Sequence, residues 1–577
     1  MTSNNTERVL IGIAASPGIC HGPAVLFSEG QIDIPFYSVS SEQVASETER
    51  LEMAIIATRE EIIQIRKKVS ATLGEGEALI FDAHLMVLED NALISEVLQY
   101  LNERKHNIEH CFHQVVNRYI NFFKNIEDEY LRERVSDIRD VERRVLNNLL
   151  GKKHADKEIL HSKKIIVSDD ISPSLAVGFN KDTLLGFLTD SGGATSHFVI
   201  MSRSLNIPSV VGLHDVTKQI KNNDYVLIDG YEGKVFINPC DETLSLYEER
   251  ANKQQAIELR YQKELLEECV TRDGHTIQLM ANIEGTNEIE AYKSSHADGI
   301  GLFRTEGLFL RHNGVPSEES QYNEYSSVVE NAEGKPVIIR TLDVGGDKLL
   351  DGITEESFLG LRAIRYCLEN IGVFKTQLRA ILRASALGDV QIMYPMISGV
   401  EELDKVNDVL SEVKSELDGS GTPYNRSIKV GAMIELPSAV MVIDLLASKV
   451  DFLSVGTNDL IQYLMAVDRM DDKVSHLYQP THPAVLRSLK IIFDGGNQNN
   501  KSVSICGEMA GEPIYTALLL GLGAKSISVS ISRLAEVKHF IRLMDLEQLE
   551  AVVQDCMAME RSGPIHAKLE EFIKSIS

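Results

Sequence analysis

The sequence lacks any apolar run approaching the roughly 18 residues that a membrane-spanning helix needs, so no membrane segment is expected. Its first residues carry no basic cluster, and Pro17 and Gly18 interrupt the apolar stretch that follows, which excludes a typical signal peptide. Basic residues are also scarce, because 58 lysines and arginines face 85 aspartates and glutamates, a net charge of -27. This excess of negative charge argues against nucleic acid and anionic membrane as partners.

Paired cysteines are missing as well. The seven cysteines lie far apart in the chain, and no two of them form a CxxC pair. Their spacing therefore fits neither a structural zinc site nor a disulfide framework. Together with the missing signal peptide, it predicts a protein of the reducing cytoplasm.

Two N-terminal regions differ in their hydrophobic pattern. Between residues 41 and 150 glycine is rare and proline is absent, and Leu51, Ile55 and Ile62 recur at four- and seven-residue steps, which predicts a helical bundle. Residues 160–240 instead contain short β-like runs typical of a compact α/β domain. Because the N-terminal strand needs a sheet to join, we expect the bundle to be inserted into this α/β domain.

The C-terminal region alternates between β-like and helical patterns. Its eight β-like segments are 277–283, 299–304, 336–342, 390–396, 430–435, 452–457, 502–507 and 526–530. Eight such alternations predict a (β/α)₈ barrel, a fold in which chemistry occurs at the C-terminal ends of the strands. The predicted architecture is therefore multidomain α/β, with residues 1–30 and 151–240 as the α/β domain, 31–150 as the helical subdomain, 241–270 as a linker helix and 271–577 as the barrel.

Arginines gather at the predicted strand ends. Arg304 and Arg340 each end a predicted strand, while Arg362 and Arg469 lie in loop-like segments. Guanidinium groups bind phosphate and carboxylate in a bidentate manner, so four of them at one barrel mouth would hold a small, highly charged anion. The alternative is surface ion pairing with the abundant acids. Asn282, Glu306 and Asp343 also lie at strand ends, but their pattern assigns them no separate role.

Acidic residues and a cysteine complete this ring. Glu435 and Asp459 follow apolar strands, and Mg²⁺ is usually held by one or two carboxylates plus substrate oxygens and water. For Asp459 the alternative is an N-cap of the next helix. Cys506 ends another predicted strand, where its thiol is either a small buried hydrophobe or a general acid that keeps its proton at neutral pH.

One further candidate lies outside the barrel. His197 follows a Gly-Gly turn and a Thr-Ser pair at the start of a predicted helix. Free backbone N–H groups at a helix start attract a phosphoryl group, which an imidazole nitrogen can carry. Ser172, in a neighbouring turn, is a candidate for fixing the ring tautomer. The alternative is a histidine satisfied by local hydrogen bonds.

Together these segments resemble one family, Enzyme I, the phosphoenolpyruvate (PEP)–protein phosphotransferases of the bacterial sugar phosphotransferase system. The motifs that carry the resemblance are residues 15–18, 82–90, 192–197, 301–306, 343–348, 456–460, 475–480 and 506–508. The resemblance spans nearly the whole chain, and the joint spacing of so many motifs makes chance agreement negligible.

The resemblance implies that His197 accepts the phosphoryl group of PEP and passes it to a histidine of the carrier protein HPr, releasing pyruvate at the first step of sugar uptake. It implies that Cys506 protonates the departing enolpyruvate and that Glu435 and Asp459 ligate Mg²⁺. The residues that it implies at the PEP site are Arg304, Arg340, Asn458, Asp459, Arg469, Arg362 and Lys348.

The resemblance also implies what each domain does. Residues 1–30 and 151–240 would form the phosphohistidine domain, and 31–150 the HPr-binding subdomain. Residues 271–577 would bind PEP and form a homodimer. Because the donor pocket and His197 lie on different domains, the histidine domain would swing between the barrel and HPr.

Three departures from the family pattern leave alternatives open. Ala194 stands where the family usually has arginine, Met470 replaces a usual glycine, and the run 526–533 lacks a usual proline. They motivate the alternative of a divergent, slow or non-catalytic Enzyme I-like regulatory protein. A pyruvate dikinase or PEP synthase is the other alternative, but the sequence has no P-loop and no spare length for a nucleotide-binding domain.

Overall fold

The computed structural model describes residues 7–27, 32–73, 75–124, 129–151, 163–171, 183–192, 197–205, 207–312, 315–345, 359–469, 471 and 473–577. The chain separates into two compact units, Met1–Gln255 and Ala256–Ser577. None of the helices in these ranges combines the length and apolar character that crossing a membrane requires.

The first unit is built on a mixed sheet. Its strands are β1 (Arg8–Ile11), β2 (Ile13–Ser16), β3 (Ile19–Leu26), β4 (Lys164–Ser168), β5 (Leu184–Thr189), β6 (Ser209–Val211), β7 (Tyr225–Asp229) and β8 (Lys234–Ile237). They follow the order β1-β8-β7-β3-β4-β5-β6-β2. The neighbours from β3 to β6 run parallel, whereas the outer pairs run antiparallel. The α/β character predicted for this region is therefore confirmed.

The N-terminal segment differs from its prediction. The single strand expected near residues 9–14 is two strands that break at Gly12, where a Cβ would lie only 2.6 Å from the carbonyl oxygen of Val211. Strand β3 was not predicted, because Gly22 and Pro23 interrupt its β-like sequence pattern. It pairs with β7 as far as Pro23 and with β4 from Ala24 onward, so the proline sits where the strand changes partner.

In the described ranges, five helices follow β3 and precede β4. They are α1 (Val44–Leu73), α2 (Glu75–Leu88), α3 (Asn91–Arg104), α4 (Ile108–Lys124) and α5 (Glu129–Leu149). Because β3 and β4 are parallel neighbours, the bundle is an insertion into the sheet, as predicted. Asp90 begins α3 as a cap whose carboxylate accepts hydrogen bonds from the amides of Ala92 and Leu93. The bundle also buries polar groups, among them His84, whose Nε2 lies 3.2 Å from Oδ1 of the buried Asp137.

Further helices in the described part of the chain before the barrel are His197–Ser204, Val216–Gln219 and Asp241–Glu264. The last of these falls within the predicted linker 241–270, and the division between the two units lies inside it.

The second unit is a closed barrel of parallel strands. The strands are β9 (Gln278–Ile283), β10 (Ile300–Phe303), β11 (Val337–Arg340), β12 (Val390–Tyr394), β13 (Lys429–Ile434), β14 (Phe452–Val455), β15 (Ser502–Ile505) and β16 (Ser526–Ser530), and β16 closes onto β9. Each overlaps one of the eight segments predicted from the sequence, so the (β/α)₈ barrel is confirmed.

Helices fill the connections and the C-terminus. They are Ile289–Ser295, Glu306–Arg311, Glu318–Asn331, Ile364–Glu369, Ile371–Ala384, Val400–Ser420, Pro437–Met441, Ile443–Ala447, Thr457–Met465, Pro483–Gln498, Pro513–Gly521, Ile531–Leu543, Leu546–Met557 and Ser562–Ile576.

The interior of the barrel is filled by side chains rather than open. A small buried cluster separate from the main core contains Leu302, Ile338, Met393, Met433, Phe452 and Cys506. Gly431 makes room for the largest of them, because a Cβ at this position would lie 2.4 Å from Cε2 of the Phe452 ring.

Gly431→Ala should therefore destabilise the barrel by about 1–3 kcal/mol, because the buried Phe452 ring has to be displaced. Gly419→Ala is the matched control, since no atom lies within 4 Å of its Cβ position near the end of a helix, and it should stabilise by about 0.4–1 kcal/mol. Thermal unfolding of the full chain, followed by calorimetry, measures both. Equal transition temperatures for the two variants would contradict the packing argument.

Candidate active site

A pocket of about 210 Å³ opens at the C-terminal ends of the barrel strands. Eight of the residues predicted from the sequence line it, namely Arg304, Arg340, Arg362, Glu435, Asn458, Asp459, Arg469 and Cys506. Arg340 ends β11, and Glu435 and Cys506 come directly after β13 and β15. The parallel strands bring these distant positions together because their C-terminal ends all meet at one face of the barrel. Lys348 lies outside the described residues.

Buried charges of opposite sign alternate along one side of the pocket. Arg340 pairs through Nη2 with Oε2 of Glu306 at 3.0 Å and through Nη1 with Oδ2 of Asp343 at 3.1 Å. Arg362 donates to both carboxylate oxygens of Asp343, at 2.9 and 3.1 Å, and to both of Asp459, at 3.2 and 3.1 Å. This ladder of charges fixes the two guanidinium groups in place. The strand-end positions of Glu306 and Asp343 were visible in the sequence, but their partners were not.

Acids outnumber arginines in this buried set. The carboxylates of the buried Glu306, Asp343 and Glu435 and of the partly buried Asp459 face the two guanidinium groups of Arg340 and Arg362 and, when all are ionised, exceed them by two negative charges. Burial and the neighbouring Asp459 and Asp343 carboxylates raise the pKa of Glu435 to about 8. A divalent cation would supply the missing positive charge.

The donor set fits Mg²⁺ in its chemistry. Glu435 and Asp459 both line the pocket, and oxygen ligands are those that Mg²⁺ prefers. No group of three or more candidate metal ligands occurs among the residues that the structure describes. A cation here would therefore take its remaining ligands from substrate and water, as Mg²⁺ usually does.

The alternative of Asp459 as an N-cap does not match the structure. Helix Thr457–Met465 begins after Gly456, which occupies the cap position and has no side chain to offer. Asp459 lies within the first turn and accepts from Arg362 instead. A Cβ on Gly456 would lie 2.6 Å from Oε2 of Glu435, so this glycine makes room for the second carboxylate.

Two non-glycine residues with an unusual backbone conformation lie beside charged residues of the pocket. Ala363, next to Arg362, has a φ of 54°, and Met396 has a φ of 56°. The amide of Met396 donates to Oε1 of Glu435 at 2.6 Å. Left-handed conformations of non-glycine residues cost free energy and persist where the surrounding structure holds them, often at functional sites.

The arginines at the mouth of the pocket have exposed partners. Nη1 of Arg304 contacts Oε1 of Glu284 at 2.6 Å, and Nη1 of Arg469 contacts Oε1 of Glu508 at 3.2 Å. Nδ2 of Asn458 donates to the same oxygen of Glu508 at 3.0 Å. The side chains of Glu284 and Glu508 are 64% and 73% exposed, so these pairs are weak and an incoming anion can replace the glutamates.

Cys506 is buried and also lines the pocket, so its role as a general acid stays a prediction. It is 2% exposed and belongs to the apolar cluster inside the barrel. Burial raises the pKa of its thiol to about 11, so the thiol keeps its proton at neutral pH. Such a group is suited to donate a proton and poorly suited to attack as a thiolate.

His197 lies in the first unit, at the first position of helix His197–Ser204. Met201, on the same helix, belongs to the core cluster of the helical bundle. Nε of Arg203 donates to the carbonyl oxygen of Ala15 at 2.6 Å, so the helix is held by the bundle and by strand β2. The predicted partner Ser172 and the departures Ala194 and Met470 lie outside the described residues.

Comparisons with known proteins cover almost the whole chain. Three family models match it: "PEP-utilising enzyme, N-terminal" over residues 11–134, "PEP-utilising enzyme, mobile domain" over 160–233 and "PEP-utilising enzyme, PEP-binding domain" over 258–546. A solution structure of Enzyme I (nEIt) is 36% identical and covers 43% of this chain and 99% of that one, with a TM-score of 0.36.

Relatives named phosphoenolpyruvate-protein phosphotransferase match end to end. The one from Listeria monocytogenes is 40% identical over 98% of this chain and 99% of its own length. Those from Priestia megaterium and Bacillus subtilis are 39% and 38% identical, each over 98% of this chain, and cover 98% and 100% of their own lengths. With this identity over the full length, the chain belongs to the phosphoenolpyruvate–protein phosphotransferase (Enzyme I) family.

Proposed function

We propose that this phosphotransferase moves the phosphoryl group of PEP to His197 and then to a histidine of a carrier protein of the HPr type, releasing pyruvate at the first step of sugar uptake. The observation that carries the proposal is the meeting of four arginines, the carboxylates of Glu435 and Asp459 and the thiol of Cys506 in one pocket. This set favours catalysis over the alternative of a non-catalytic regulatory relative. All seven cysteines are free, which fits a reaction in the reducing cytoplasm.

PEP carries a carboxylate and a phosphate, and the pocket offers guanidinium groups for both. Arg304, Arg469 and Asn458 would exchange their exposed glutamate partners for the anionic groups of the substrate. Arg340 also lines the pocket and would contact the substrate there, and its Nε has no hydrogen-bond partner in the described part of the chain. Lys348 stays a prediction.

Arg362 contributes in another way. Its guanidinium group is occupied by Asp343 and Asp459, and its Nη1 also donates to the hydroxyl of Tyr463 at 3.3 Å. We therefore place it beside the substrate as a fixed positive charge that orients Asp459.

Glu435 and Asp459 would hold Mg²⁺. The bound ion would neutralise negative charge on the phosphoryl group in flight and on the departing enolate. Arg362 donates to both carboxylate oxygens of Asp459 and would hold this carboxylate at the pocket. The Glu435 carboxylate would lose its proton on binding the ion, because its pKa is raised in the free protein.

Cys506 would then complete the reaction at carbon. When the phosphoryl group leaves, the enolate of pyruvate needs one proton at its methylene carbon. The thiol of Cys506 is protonated at neutral pH and faces the pocket, so it is the group that would donate this proton.

His197 lies in the other unit, so transfer requires the first unit to bring it to the pocket and then to the carrier. We propose that the carrier docks on the helical bundle. Exposed apolar side chains there include Met53 and Ile56 on α1, Met86 on α2 and Phe122 on α4. Such exposed apolar residues are typical of a protein-binding surface.

The barrel has an apolar surface of its own. Met441, Leu445 and Ile491 are exposed on three helices, Pro437–Met441, Ile443–Ala447 and Pro483–Gln498, and the first two pack against the third. We propose that this surface forms the homodimer contact with a second copy of the barrel.

Phosphorus-labelled PEP with Mg²⁺ should label the protein on histidine. The label should withstand base and be lost in acid, and it should be absent from His197→Ala but present in His275→Ala, an exposed histidine of the barrel unit. Adding a panel of candidate carriers should remove the label from the protein. Labelling that requires ATP would instead indicate a dikinase, and a complete absence of labelling would indicate a non-catalytic relative.

Mg²⁺ binding can be measured without turnover in the His197→Ala background, where bound PEP is not consumed. Calorimetry in the presence of PEP should show that Glu435→Gln weakens Mg²⁺ binding. The loss of affinity should exceed the roughly 10-fold effect expected when a substitution removes only a residue that hydrogen-bonds to a metal ligand. Gly456→Ala should also weaken it, because the new Cβ displaces the Glu435 carboxylate. Glu416→Gln, on the surface, is the control. Unchanged affinity in Glu435→Gln would refute this metal site.

Two matched substitutions test the two apolar surfaces against each other. Met441 and Met86 are exposed to nearly the same extent, 76% and 74%. Met441→Lys should weaken the dimer about 10-fold or more in sedimentation equilibrium. Met86→Lys should leave the oligomeric state unchanged and slow phosphoryl transfer to the carrier. A dimer that Met441→Lys leaves intact would contradict the proposed contact.

A further inference from the structure

The sulfur of Cys506 lies between the apolar interior of the barrel and the charged pocket, and the buried hydroxyl of Ser454 is beside it. Its neighbours in the barrel interior are Leu302, Ile338, Met393, Met433 and Phe452. Ser454, on the adjacent strand β14, is fully buried, and its Oγ donates a hydrogen bond to Sγ of Cys506 at 3.3 Å. The thiol in turn donates to the carbonyl oxygen of Val455 at 3.6 Å.

The barrel register explains this contact. Ser454 on β14 pairs with Ser504 on the neighbouring β15, and Cys506 lies two residues further along on the same face. A hydroxyl in an apolar interior costs free energy unless it is hydrogen-bonded. Within the described residues, the hydrogen bond that satisfies the Ser454 hydroxyl is the one to Sγ.

Loss of the thiol proton places a negative charge beside the apolar side chains of the barrel interior. A thiolate here would be a buried charge, which is unfavourable; the nearby Arg340 would stabilise it and the nearby Glu435 would oppose it, so a donor directed at the sulfur adds a stabilising contact. The Ser454 hydroxyl already donates to the sulfur before the reaction, so it needs no rearrangement to stabilise the negative charge.

We propose that Ser454 is a positioning residue for the proton transfer: its hydroxyl holds the sulfur of Cys506 and stabilises the thiolate that protonation of the enolate leaves behind. The inference rests on the proposed role of Cys506. In the step, the S–H bond breaks and a C–H bond forms at the methylene carbon. The electron pair of the enolate C=C bond forms the C–H bond, and the enolate oxygen becomes the ketone of pyruvate. The thiolate regains a proton from water after pyruvate leaves.

Ser454→Ala tests this directly, with Ser504→Ala as the matched control. Both serines are buried and paired in register, but the Ser504 hydroxyl donates to the carbonyl oxygen of Leu453, not to the sulfur. In single turnovers of the full chain with PEP and Mg²⁺, Ser454→Ala should slow pyruvate formation about 10- to 100-fold, as expected for a hydrogen bond to a charged group. The affinity for PEP should stay unchanged, and Ser504→Ala should react like the wild type.

The solvent isotope effect separates positioning from general support of the fold. If Ser454 acts on the proton transfer, the rate difference between H₂O and D₂O should grow in Ser454→Ala, because protonation at carbon becomes the slow step. A loss of PEP affinity without a larger isotope effect would overturn the inference, and so would a rate equal to that of Ser504→Ala. Cys506→Ala separates a failure of the proposed thiol role from a failure of the Ser454 role. If this variant reacts like the wild type, the proposed role of the thiol fails. If it is slow while Ser454→Ala is not, only the role of Ser454 fails.

Discussion

The alternating ladder of buried charges from Glu306 through Arg340, Asp343 and Arg362 to Asp459 is the constraint on which the pocket depends. Each arginine is held by an acid on both sides. Neither guanidinium can turn away without leaving a buried charge unpaired, which costs several kcal/mol. The ladder also ties together segments far apart in the chain. It links the loops after β10 and β11 to helix Thr457–Met465.

A buried amide strengthens the same junction. Oε1 of Gln377 accepts from the amide of Leu342 at 2.9 Å, and its Nε2 donates to the hydroxyl of Thr305 at 3.1 Å. Thr305 follows Arg304, and Leu342 lies between Arg340 and Asp343. The residues that present the arginines are therefore held by a side chain of helix Ile371–Ala384 as well as by the ladder, which explains how a pocket built on loops has a defined shape.

The buried part of the pocket and its mouth differ in charge. The buried part has more acids than arginines and is suited to a divalent cation, whereas the mouth carries Arg304 and Arg469 with exposed glutamate partners. An anionic substrate that binds together with a divalent cation would supply charge to both parts of the pocket. The cation would neutralise the buried acids, and the anion would pair with the arginines at the mouth. This division reconciles a strongly acidic protein with a site for a small, highly charged anion.

Much of this was readable in the sequence, because helix and strand periodicity is local. The alternation of patterns predicted the bundle, the barrel and its eight strands, and the strand ends named the residues that line the pocket. Motif resemblance identified the family. Strand β3 escaped because Gly22 and Pro23 break the local pattern, although the sheet supplies partners on both sides of them.

Other features were decided by tertiary structure alone. The occupation of Arg362 by two acids and the hydroxyl of Ser454 beside Cys506 join residues 19 to 97 positions apart. No local pattern records such contacts, since closure of the barrel and strand register determine which side chains meet. The sequence by itself determined which chemical groups arrive at the mouth of the barrel. Only the folded barrel decided which of them neutralise one another and which are left for a substrate.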